Sequence, residues 1–105
     1  IRLIVSELLW RKLCKVQHSI KRVVLDVLKL RDPPLPEFAL RLCSTPNVED
    51  VKVSLIEIDQ NTESVKVTVE GEDIDLDFVQ KIMKDYGAVV HSVDEVVVGR
   101  KNAPD

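Results

Sequence analysis

The stretch Ser64 to Glu70 constrains this chain most, because Val65, Val67 and Val69 alternate there without exception with Lys66, Thr68 and Glu70. Successive side chains on a strand point to opposite faces, so a period of two specifies a β-strand with one buried and one open side. A lone strand cannot bury its own valines. The remaining sequence must therefore supply strand partners and a covering layer.

The partners are legible on both sides. Val48 to Asp59 carries Val51, Val53 and Leu55 on one face until the adjacent pair Leu55 and Ile56 breaks the alternation, which predicts a bulge. Gln60 to Glu63 is a polar hairpin loop between it and the Ser64 strand, which Gly71 ends. Upstream, Ile20 to Leu30 sets Val23, Leu25 and Val27 against Arg22, Val24, Asp26 and Leu28, and Ala88 to Val98 is a valine-rich last strand closed by Gly99.

Two helices fit between these strands. Pro33, Pro34 and Pro36 preset a first turn, Leu35, Phe38, Ala39 and Leu42 form one apolar stripe, and Pro46 stops a helix over Pro36 to Ser44. The second has Asp75 as N-cap, Ile74 and Val79 at hydrophobic-staple positions, an apolar face of Phe78, Val79, Ile82, Met83 and Tyr86, and Gly87 at its end. Strand, helix, two strands, helix, strand is the split βαβ pattern. The predicted class is α+β: a ferredoxin-like βαββαβ fold, a four-stranded antiparallel sheet with two helices on one face.

The 105 residues suit one domain, placed at residues 20–100, with an N-terminal extension at 1–19 and a frayed tail at 101–105. Ile4, Val5, Leu8, Leu9, Trp10, Leu13 and Val16 predict a short helix in the extension. Arg2, Arg11, Lys12 and Lys15 against Glu7 give it a charge of +3, while the whole chain carries -3, so the remainder is -6. A charge of +3 is a small footprint for nucleic acid, which is not expected as a partner. Ile56, Ile58 and the run Val96 to Val98 exceed what one covered sheet face needs, so the open face is expected to be covered by a second subunit or by residues 1–19. Neither a membrane span nor an export signal is visible, and a cytoplasmic location is expected, with Cys14 and Cys43 as buried free thiols.

Several chemistries known on this fold are refused by the residues. The central strands hold no aromatic on which an RNA base could stack. Two cysteines cannot hold an iron–sulfur cluster, and no cysteine pair follows the first strand to hold copper. The proline-rich loop there offers few backbone donors to a phosphate. Asp59, Asn61, Glu63 and Glu70 match positions of a calcium loop only superficially, since Ser64 stands where glycine is needed and a strand follows.

Polar groups inside the last apolar strand are the candidates that remain: His91, Ser92, Asp94 and Glu95. Strict alternation puts His91 with Glu95 on one side and Ser92 with Asp94 on the other, which denies His91 and Ser92 a base–nucleophile contact. If the last strand pairs beside the first, Asp26 joins Asp94 on the open face, where carboxylates bind a hard divalent cation.

The segments LDVLK, PEFALRL, EIDQNTESVKVTVEG and above all GAVVHSVDEVVVG resemble a small archaeal family catalogued as a domain of unknown function, number 211, over about residues 20–101. The resemblance implies a ferredoxin-like fold, ring-like homo-oligomers and a link to calcium, with no established activity. Two departures stand out. Residues 1–19 lie outside the match, as a lineage-specific addition or an upstream stretch read through a misplaced start. The family's Lys-Pro after the first strand is here Lys29-Leu30, with the prolines displaced to 33, 34 and 36.

The expected function is a non-enzymatic, homo-oligomeric domain binding divalent cations such as calcium through Asp26, Asp94 and Glu95, with His91 and Ser92 at a ligand or subunit contact. The alternative is a small-molecule-sensing regulatory domain with its ligand held between subunits near Asp32 to Glu37. A His91–Glu95 acid–base pair ranks third, for want of a nucleophile or oxyanion site.

Overall fold

A computed structural model of the chain describes residues 17–101. It contains β1 (Gln17–Leu30), α1 (Leu35–Cys43), β2 (Val48–Ile58), β3 (Thr62–Gly71), α2 (Leu76–Asp85) and β4 (Ala88–Lys101). One antiparallel sheet has the order β2-β3-β1-β4, which places β1 and β3 centrally as the ferredoxin-like pattern requires. The helix predicted for residues 1–19 falls mostly outside the described residues. β1 begins at Gln17, within the stretch read as an extension, and the last strand runs past Val98 because Gly99, Arg100 and Lys101 pair with Ser19, His18 and Gln17.

The valine side of the sheet and the two helices make the core. Val23, Leu25 and Val27 of β1 and Val65, Val67 and Val69 of β3 are at most 1% exposed, and Phe38, Leu42, Val79 and Met83 cover them from the helices. Burying a side chain of this size contributes about 1.5–3 kcal/mol, so period two in the strands and three-four in the helices meet in one layer. Asp75 caps α2 as predicted, its carboxylate accepting from Phe78 N–H at 3.2 Å. Pro34, at the N-cap of α1, makes no side-chain cap bond, and Phe38 N–H donates to its carbonyl at 2.9 Å. Cys43 is half-buried, not buried as expected, with its thiol toward Glu49 O at 3.7 Å.

The β3–α2 connection is tightly fitted. Asn47 has φ 70°, and a Cβ on Gly71 would lie 2.0 Å from its carbonyl oxygen. Only glycine fits that approach.

The helices leave the sheet's rims bare. Register assigns Val93, Val96 and Val98 of β4, and Leu55 and Ile58 of β2, to the helix side, yet all five are 41–56% exposed. The apolar surplus read from the sequence therefore lies largely at the two edges. Ile56 and Val97 face the open side, at 62% and 42% exposure.

Candidate functional site

The open face presents Arg22, Val24, Asp26 and Leu28 from β1 and Ser64, Lys66, Thr68 and Glu70 from β3, as alternation predicts. β4 departs from it. Its register against β1 slips between Val24 and Leu25 and again between Asp26 and Val27, so that Asp94 and His91 are extra residues. Each bulge turns the following side chain over. Ser92 consequently pairs opposite Asp26 on the open side, and Asp94 joins Glu95 there instead of facing away from it. Another bulge, at Ile56 as predicted, brings that side chain onto the same face.

The result is a pocket of about 390 Å³ lined by Arg22, Val24, Asp26, Ile56, Lys66, Asp94 and Glu95. All three carboxylates expected to bind a cation line it. They are already partnered in part: Arg22 Nε lies 3.3 Å from Glu95 and 4.0 Å from Glu70, and Ser92 Oγ donates to Asp94 at 2.8 Å. Among the described residues no three His, Cys, Asp or Glu groups converge closely enough to hold a metal ion. His91, 77% exposed, sets Nδ1 3.5 Å from Asp26 and shares a smaller pocket with Leu28 and Ser64. Ser92 bonds Asp94 and not His91, so these residues form no acid–base–nucleophile relay.

A second concavity, about 640 Å³, lies at the end of the sheet between the start of α1 and the end of α2. Leu30, Asp32, Pro33, Glu37, Lys84 and Tyr86 line it. This is the loop region, Asp32 to Glu37, named above as the place for a small ligand.

One charged group that matters was not singled out from the sequence. Lys29 is 0% exposed, and its ammonium donates to Glu63 at 2.7 Å, to Leu30 O at 2.8 Å and to Arg31 O at 3.4 Å. It also lies 5.7 Å from the centre of the Phe38 ring. The signal was present: continuing the inward positions 23, 25 and 27 reaches 29. Lys29 thereby ties the β1–α1 loop, which forms one wall of the larger groove, to the base of the β2–β3 hairpin.

A family model, DUF211, described as Uncharacterized ArCR, matches residues 21–103. An uncharacterized protein of Methanocaldococcus jannaschii is 45% identical over 84 residues, spanning 80% of this chain and 87% of that one. Among the described residues no helix is long and apolar enough to cross a membrane.

Proposed function

Since the chain belongs to the DUF211 family, whose description names no activity, we propose that it is a non-enzymatic self-assembling domain that joins copies through its sheet edges and takes up divalent cations at the open-face carboxylates. The observation that carries assembly is the pair of apolar rims. β2 and β4 are both edge strands, both leave helix-side aliphatic residues 41–56% exposed, and no proline interrupts either. An exposed apolar edge strand is a template for pairing with another chain. A β2-to-β4 contact is heterologous, and such contacts close into a ring when the rotation permits.

Calcium takes six to eight oxygens. Asp26 and Asp94 would contribute from one chain and Glu95 on release from Arg22, with water or another copy completing the shell. Native mass spectrometry with and without calcium tests both parts. Assembly predicts a defined multimer that Val96→Asp reduces to monomer, and cation binding predicts retained calcium that Asp26→Asn with Asp94→Asn removes. A monomeric wild type, or a wild type that never retains calcium, rejects the corresponding part.

The groove at Asp32, Pro33 and Glu37 supports a second reading, a small-molecule sensor. A thermal-shift screen of amino acids and nucleotides addresses it, because a ligand at a hundred times its dissociation constant adds about 2.7 kcal/mol. No stabilisation by any of them rejects it.

A further inference from the structure

We propose that a neighbouring copy sets Lys52 of its β2 directly opposite Glu95 of β4, so that a partner lysine completes the carboxylate pocket of each chain. This inference rests on the assembly reading above and adds to it a direction, a register and the residue pair that locks them.

Direction follows from the strand order. Every neighbouring pair in β2-β3-β1-β4 is antiparallel, so the two edge strands run in opposite senses. A second copy laid alongside without being turned over offers β2 antiparallel to β4, with both helix layers on one side, and the alternation continues across the seam. A β4-to-β4 contact would instead leave Leu55 and Ile58 bare on both β2 rims, at 41% and 53% exposure.

Register follows from the rows that cross the sheet. Traced through β3 and β1, Glu57 is level with Val89, Ser54 with Ser92, Lys52 with Glu95 and Asp50 with Val97 on the open side. On the helix side Ile58 is level with Ala88, Leu55 with Val90, Val53 with Val93 and Val51 with Val96. Carried across the seam, these rows set apolar against apolar throughout the helix side, and Lys52 against Glu95 is their one meeting of charges. A slip of one residue turns the valines of one strand against the polar side of the other. A slip of two brings either Asp50 or Ser54 opposite Glu95. Opposite charges facing each other across strands stabilise the pair and like charges destabilise it.

The remaining charges of the two edges leave this choice intact. Glu49 and His91 are extra residues at bulges, Asp94 is another and adds to the attraction for Lys52 from beside Glu95, and Lys101 stands four residues past Val97, beyond the level at which β2 begins. Glu95 is half satisfied within its own chain, its carboxylate 50% exposed with Arg22 Nε 3.3 Å away. Lys52 is exposed and makes no ion pair among the described residues. A free cation and a half-paired carboxylate thus stand at one level on opposite edges.

Native mass spectrometry over a dilution series tests the pairing. Lys52→Glu and Glu95→Lys each set like charges across the seam and should raise the concentration for half-assembly by about tenfold or more. Far-UV circular dichroism should stay unchanged, because both positions are exposed. Mixed in equal amounts, the two variants should reassemble with alternating chains, since every seam then holds one lysine and one glutamate. Wild-type assembly by each variant alone, or no reassembly on mixing, overturns the pairing and leaves edge assembly standing. A wild type that stops at a dimer overturns it in favour of two like edges, whereas a monomeric wild type removes the assembly reading itself and this inference with it.

Discussion

Removing the carboxylate of Glu63 should be among the most damaging polar substitutions in this domain. Lys29 is 0% exposed and Glu63 13%, and their 2.7 Å contact supplies the only anionic partner of that ammonium among the described residues. Breaking a buried pair by deleting one partner costs about 3–5 kcal/mol, because the other charge is left uncompensated in a low dielectric. Two backbone carbonyls, at 2.8 and 3.4 Å, would still accept from Lys29 after Glu63→Ala, which sets the expected loss at the lower end, about 3 kcal/mol. For a domain of this size that lowers Tm by about 12–24 °C. Lys29→Met keeps the apolar stem and removes the charge, and should itself cost about 1 kcal/mol or less, since replacing buried ions by apolar groups is often neutral. In that background Glu63→Ala should add no more than about 0.5 kcal/mol, so a double-mutant cycle by urea denaturation should return a coupling above about 2 kcal/mol. A loss from Glu63→Ala within about 0.5 kcal/mol, the range of an exposed ion pair, would refute the reasoning by showing that water reaches the ammonium.

Other expectations follow from single features. Gly71→Ala drives a methyl group against the Asn47 carbonyl and should cost about 3 kcal/mol, the upper end of overpacking; a midpoint in urea equal to wild type would contradict the fit described. Asp75→Ala removes the cap on Phe78 N–H and should cost about 1 kcal/mol by the same assay, with Asp75→Asn restoring most of it. Arg22→Ala frees two exposed carboxylates whose ion pairs are worth little; it should leave Tm nearly unchanged while strengthening calcium binding by calorimetry, and weaker binding would count against a cation site there.

The fold was legible because period and side agree over long stretches. Val65, Val67 and Val69 alone dictated a half-buried strand, and Asp75 to Gly87 carried its start and stop signals locally. The candidate site was harder to read from residues 88–98. Bulges are a property of pairing, and whether His91 or its neighbour is the extra residue depends on where Asp26 and Val27 sit across the gap. No one-strand pattern contains that information. The Leu55–Ile56 bulge was readable only because two large aliphatics stood side by side. Exposure at the rims also lay beyond the sequence, since it depends on how far two short helices extend across four strands.

The twin bulges of β4 have a consequence for how this strand tolerates change in length. Two extra residues restore the original parity, so Val90 and Val96 stay on the helix side while Ser92, Val93 and Asp94 between them exchange sides. Deleting either His91 or Asp94 alone would remove an unpaired residue and leave every other pair across to β1, Val23 with Val96 included, in place. Deleting both would leave the ends of the strand correctly seated. In this stretch the two bulges act as independent slack, and a chain that lost one or both of their extra residues would keep its core and redraw only its open face.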